Sequence, residues 1–168
     1  MRFLVVGAGA TGGYFGGRLL EAGQDVTFLV RPARAERLAT TGLTIASPAG
    51  NVTIPSPPTV LASELRAPFD AVILSCKAYD LDGAIAAFAP AVGTRTMILP
   101  VLNGMRHLDV LDARFGRERV LAASVASAVH FSHMSCVPLS LARASKRAPA
   151  IVSATRSIRS LMPPSRSP

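Results

Sequence analysis

Apolar residues in the first 120 positions fall into short continuous runs, and between the runs lie stretches with helical character that stop at glycine. Arg2–Val6 (RFLVV) is a strand-length run ending at Gly7. Ala10–Ala22 reads as a helix with Gly23 placed as its C-cap. Asp25–Val30 (DVTFLV) is β-rich, and Ala33–Thr40 is a short helix closed by Gly42. Leu43–Ala46 and Asn51–Ile54 flank Ser-Pro-Ala-Gly, which predicts a hairpin. Pro55, Pro57 and Pro58 impose a loop. Ala71–Cys76 (AVILSC) and Thr96–Leu102 are apolar strands, the second interrupted by Pro100, and helices are expected at Leu81–Ala89 and Leu108–Phe115. Strands that alternate with helices point to βαβ units around a parallel sheet. A sheet covered on both faces explains continuous apolar runs in place of alternation. The fold class is therefore α/β, a Rossmann-like doubly wound parallel sheet.

The pattern breaks near Leu121. Residues 1–120 carry 12 Lys/Arg and all 10 Asp/Glu, whereas residues 121–168 carry 6 Lys/Arg and no acid. The same segment contains 11 of the 15 serines and none of the 13 glycines. We read 1–120 as one domain and 121–168 as an atypical basic Ser/Ala/Arg/Pro-rich tail. A disordered basic arm and a shifted reading frame both fit that composition, and the sequence leaves the two open.

Composition narrows the function classes. An apolar fraction of 49% does not suit a wholly disordered chain. The absence of Trp and an aromatic content of 5% give no stacking platform for single-stranded nucleic acid. The net charge of +8 sits mostly in the tail, so no specific nucleic-acid partner is expected, and no apolar stretch has the length of a membrane span. Cys76 and Cys136 do not make a disulfide framework and suit a reducing cytoplasm. Met1-Arg2 followed by FLVVGAGATGG has the outline of a leader, yet glycine spacing accounts for the same residues.

That spacing is G-x-G-x-x-G, formed by Gly7, Ala8, Gly9, Ala10, Thr11 and Gly12 where a strand ends and a helix opens. Gly7 permits the tight turn, Gly9 the approach of a pyrophosphate, and Gly12 the close packing of helix on strand. Gly13, Gly16 and Gly17 extend the small face of that helix. A helix N-terminus at this point presents unpaired N–H groups and a positive dipole end to phosphate.

Three further residues fall at the carboxyl ends of expected strands, where open α/β sheets bind ligands. The second strand ends Leu29-Val30-Arg31, with no acid to receive a ribose 2′-hydroxyl. Arg31, assisted by Arg34, is placed to meet a 2′-phosphate, which predicts NADP(H) over NAD(H). Lys77 follows the strand at Ala71–Cys76, and Asn103-Gly104 follows the strand at Thr96–Leu102.

Taken together, GAGATGGYFGGRL, LVR, LSCKAYD and LNGM resemble the cofactor domain of ketopantoate reductases (2-dehydropantoate 2-reductases) from Met1 to about residue 120. The resemblance implies that Gly7–Gly12 cradle the NADP pyrophosphate and Arg31 reads the 2′-phosphate. Lys77 then contacts the cofactor, and Asn103 orients nicotinamide and substrate. It also implies NADPH-dependent reduction of 2-dehydropantoate to pantoate, in pantothenate biosynthesis, on a small-molecule 2-keto acid. The family takes its general-acid lysine from a helical second domain, which this sequence does not show. The one lysine after Lys77 is Lys146 in the tail, so no catalytic proton donor is assigned. A non-catalytic NADP-binding fragment and a reductase of a related 2-keto acid are the alternatives. Self-association through a face that the second domain would cover is a further expectation.

Other candidates receive plainer readings. His130, His133 and Cys136 have ligand-like spacing without a fourth ligand, so no metal site is expected. His107 reads as a helix-start or surface histidine, and Cys76 as a core thiol in a buried strand. Asp80 and Asp82 read as caps of the following helix, and Tyr14, Phe15, Leu19 and Leu20 as packing residues.

Overall fold

The computed structural model describes residues 1–48 and 50–121, so readings made on the tail, including His130, His133, Cys136 and Lys146, lie outside the described residues. Strand β1 (Arg2–Val6) leads into helix α1 (Ala10–Glu21), strand β2 (Asp25–Leu29) and helix α2 (Pro32–Thr41). Strands β3 (Leu43–Ile45) and β4 (Val52–Ile54) follow, then β5 (Thr59–Val60), β6 (Phe69–Leu74), helix α3 (Leu81–Phe88), β7 (Val92–Pro100) and helix α4 (Arg106–Phe115). Five strands form one sheet in the order β5-β2-β1-β6-β7, and every neighbouring pair in it is parallel. The order reverses direction between β1 and β6, which is the topological switch point of a doubly wound sheet.

Burial on both faces explains the apolar runs. On β1, Phe3 and Val5 pack with Leu19, Val26, Phe28 and Leu38 on one face. Leu4 and Val6 pack with Val72, Leu74, Ile85, Phe88 and Leu111 on the other. Alternate residues thus feed two cores, as the twofold period of a strand requires. Burying one such Leu, Val or Phe side chain contributes roughly 1.5–3 kcal/mol.

The β3–β4 hairpin is antiparallel, with Leu43 opposite Ile54, and it lies against α1. Gly17 sets that distance, since a Cβ there would come within 2.4 Å of the Ile45 side chain, and Gly16 sets the approach of α1 to the main sheet, where a Cβ would come within 2.5 Å of the Phe28 ring. Arg18, itself buried, donates to Glu21 Oε2 and Ser47 Oγ at 2.7 Å and to the Gly50 carbonyl. Its Glu21 partner raises the Arg18 pKa further.

Several boundaries move from the sequence expectation. β6 starts at Phe69 and stops at Leu74, which leaves Cys76 half-buried in the following loop and not in a strand. β7 starts at Val92, and Pro100 is its last residue and not an interruption. Its register against β6 shifts between Phe69 and Ala71. There the buried Thr96 hydroxyl donates to the Phe69 carbonyl at 2.6 Å and accepts from Gly93 N–H at 2.8 Å. Strand β5 was not expected. Beyond α4 the chain returns to the β7 edge, where Val120 bridges Ile98 in parallel.

Candidate functional site

Every strand of the main sheet points its carboxyl end to the same edge, and the Gly7–Gly12 loop, Arg31, Lys77 and Asn103 all follow strands there. The loop is built first. β1 ends at Val6, and the chain turns at Gly7 with φ of 90°, a conformation costly for any residue with a Cβ. Gly7 N–H donates to the Leu29 carbonyl at 2.9 Å. Ser75, just past β6, holds the turn from the other side: its hydroxyl lies 2.8 Å from the Val6 carbonyl and 3.2 Å from that of Gly7, a bifurcated bond. A Cβ on Gly12 would stand 2.1 Å from the Gly7 carbonyl oxygen and 2.2 Å from Ser75 Oγ, so no side chain fits.

Gly9 is the opposite case. Among the described residues a Cβ there would meet nothing within 4 Å, so these residues leave the space in front of the loop open. The first intrahelical bond of α1 runs from Gly13 N–H to the Gly9 carbonyl at 2.7 Å. The N–H groups of Ala10, Thr11 and Gly12 therefore precede the helical ladder. Among the described residues no side chain caps them, and no acid occupies the first turn. Gly9, Ala10 and Thr11 are exposed. An exposed helix start with open space before it and no carboxylate competing for it fits a dinucleotide pyrophosphate.

Arg34 and Arg31 flank this loop in different ways. Arg34 is half-buried and donates to the Ala8 carbonyl at 2.7 Å, so it fastens the loop. Arg31, at the N-cap of α2, extends into solvent with its side chain 82% exposed and pairs with Asp80 Oδ1 at 3.1 Å. Asp80 occupies the N-cap of α3, yet its carboxylate makes no capping bond. The reading of Asp80 as a cap is therefore corrected: its position is that of a cap, but its charge is directed across the site to Arg31. Asp82 lies in the first turn of α3.

Lys77 is exposed, with its Nζ 5.7 Å from the centre of the exposed Tyr79 ring. Burial pushes the Cys76 thiol pKa up, and the negative charge of Asp80 adds to that effect. Such a thiol is held in its neutral form. Asn103 sits in the exposed turn after β7, followed by Gly104 at φ of 84°. His107 lies at a helix start, in the first turn of α4, and there it is buried and not at the surface; among the described residues its Nε2 has no hydrogen-bond partner, and burial lowers its pKa. Among the described residues, no group of three or more His, Cys, Asp or Glu is arranged to hold a metal, and no helix is long and apolar enough to cross a membrane.

The family described as ketopantoate reductase PanE/ApbA matches residues 3–136. The chain belongs to the ketopantoate reductase family. An uncharacterized oxidoreductase, YkpB, of Bacillus subtilis is 50% identical over 121 residues, covering 72% of this chain and 39% of that protein. The crystal structure of a 2-dehydropantoate 2-reductase from Geobacter metallireducens superposes with a TM-score of 0.72 at 27% identity, covering 94% of this chain and 55% of the other. The ternary structure of a D-mandelate dehydrogenase with NADH and anilino(oxo)acetate gives 0.64 at 27% identity over 71% of this chain and 39% of the other. The chain thus spans about two-fifths of the length of the curated relatives it matches.

Ser75 carried no role in the sequence, and the link of Asp80 to Arg31 was not foreseen. Ser75 was visible only as part of the stretches AVILSC and LSCKAYD. The available signal was a hydroxyl placed directly after a buried strand run, and its partners lie 69 and 68 residues away. The ion pairing of Asp80 with Arg31 spans 49 residues and has no local signal.

Proposed function

We propose that this chain forms the NADP(H)-binding part of a ketopantoate reductase, which reduces 2-dehydropantoate to pantoate in pantothenate biosynthesis. The observation that carries this reading is the phosphate loop at the switch point, with Arg31 and Arg34 and no acid at the end of β2 itself. The N–H groups at the start of α1 hold the pyrophosphate, and Gly9 leaves room for it to approach. Arg31 supplies a permanently charged, planar donor pair to a 2′-phosphate. Lys77 adds a positive charge on the other side of the switch point. Asn103, on the loop after β7, orients the nicotinamide and the substrate carbonyl. The bound dinucleotide supplies the hydride, and the protein supplies position and electrostatics. No residue of the chain is assigned as donor of the proton that the new alkoxide takes up.

A thermal-shift titration of the full chain with NADPH and with NADH tests the cofactor. A ligand at 100 times its Kd stabilises by about 2.7 kcal/mol, so stabilisation by NADPH at lower concentration than NADH is expected. Equal responses remove the preference, and no response to either removes the site. Consumption of NADPH on addition of 2-dehydropantoate tests the substrate. A different 2-keto acid is the second reading, favoured by the likeness to the D-mandelate dehydrogenase. Turnover of other 2-keto acids with none on 2-dehydropantoate would select it.

A further inference from the structure

We propose that Asp80 determines the balance between NADPH and NADH, by sharing Arg31 with whatever occupies the ribose 2′-position. The inference rests on the cofactor reading above and goes beyond it. Asp80 holds the N-cap position of α3, where a carboxylate ordinarily accepts from the helix's own N–H groups, but it makes no such bond. It stands instead 3.1 Å from Arg31 Nη2, a residue 49 positions away on the loop after β2. The acid that β2 lacks at its end is thus delivered from the loop after β6.

The chemistry of the pair works in both directions. Arg31 offers donors to a 2′-phosphate, which carries nearly two negative charges at neutral pH. That phosphate must take Arg31 from the Asp80 carboxylate and then sit beside a like charge, which disfavours it. A 2′-hydroxyl brings no charge and can donate to the carboxylate, the service an acid at the end of β2 performs in NAD-binding sheets. The Arg31–Asp80 pair therefore accepts either dinucleotide, with Asp80 restraining the preference for NADPH. The pair is solvent-exposed, so the effect is moderate: screening holds such interactions to small factors.

The test is direct binding of NADPH and NADH, by calorimetry, to the full wild-type chain and to Asp80→Asn, Asp80→Ala, Asp82→Asn and Arg31→Ala. Asp82 carries the same charge and lies in the same helix turn, so Asp82→Asn reports the loss of charge alone. Removal of the Asp80 charge is expected to tighten NADPH and weaken NADH, so that the affinity ratio rises about three- to fivefold, while Asp82→Asn changes it less than about twofold. Arg31→Ala is expected to weaken NADPH and leave NADH nearly unchanged. Asp80→Ala covers the case in which an asparagine amide still bonds to Arg31, and a far-ultraviolet spectrum confirms that each variant is folded. An unchanged or lowered ratio in both Asp80 variants, with wild type still binding, overturns the role of Asp80 alone. A wild-type chain that binds neither dinucleotide overturns the cofactor reading, and this inference with it.

Discussion

Single atoms decide what the phosphate loop tolerates. At Gly12 an added methyl collides with the Gly7 carbonyl, which is backbone and fixed by the turn. At Gly9 the same methyl meets open space. Gly12→Ala is therefore expected to lose about 2–3 kcal/mol in urea unfolding, overpacking outweighing the gain in helix propensity. Gly9→Ala is expected to change stability by less than about 1 kcal/mol and still to lose NADPH binding, because the methyl fills the space that the pyrophosphate needs. A Gly9→Ala chain that binds NADPH as well as wild type would remove the loop from the site. His107 sets a pH dependence by the same kind of local cause. An imidazole ordinarily titrates near 6.5, and burial lowers it here. The unfolded chain therefore takes up a proton before the folded one does, and stability falls as pH drops below about 6.5. His107→Leu removes that proton uptake and fills the same buried volume. Its melting temperature should fall less than that of wild type between pH 7.5 and 5.5, and equal falls in the two chains would assign the effect to other groups.

Elements meet through contacts that local sequence records unevenly. Arg18 joins α1 to the hairpin turn through Ser47 and Gly50. Arg18→Ala is expected to cost about 2–3 kcal/mol, since two charged hydrogen bonds to the hairpin turn are lost together. Limited proteolysis should then cut between Ile45 and Val52 before it cuts elsewhere in the domain, and an unchanged cleavage pattern would show that the hairpin is held without Arg18. The strands of the main sheet were legible because burial on both faces leaves an apolar run, and β1 matched its expected limits, Arg2–Val6. β6 was misplaced by two residues because Phe69 already pairs with Val92 in the ladder although the apolar run starts at Ala71. The two-residue β5 was hidden because only its pairing with Phe28 and Leu29 makes it a strand. In the site, the glycine loop was legible since its requirement is conformational and local. Arg31 was legible as a charge at a strand end, but its partner was not, since no pattern near residue 31 points to residue 80.

At the scale of the whole molecule, the acids and the excess positive charge are separated along the chain. All 10 acids lie in residues 1–120, together with 12 of the 18 Lys/Arg, so this part carries a small net charge. Residues 121–168 carry 6 basic residues and no acid. A small-molecule site depends on particular donors at the sheet edge, whereas affinity for a polyanion follows the number of cations and falls steeply with salt. The two properties should therefore be separable by a cut after Leu121, where the chain has just bridged Ile98 at the β7 edge. A chain ending at Leu121 is expected to keep the thermal response to NADPH, since Gly7–Gly12, Arg31, Lys77 and Asn103 all precede the cut. The full chain is expected to be retained on heparin at low salt, and the shortened chain to lose that retention. A shortened chain that still binds heparin as strongly would place the polyanion affinity on the sheet edge itself. Competition by NADPH would then show whether the two ligands share the donors of the phosphate loop.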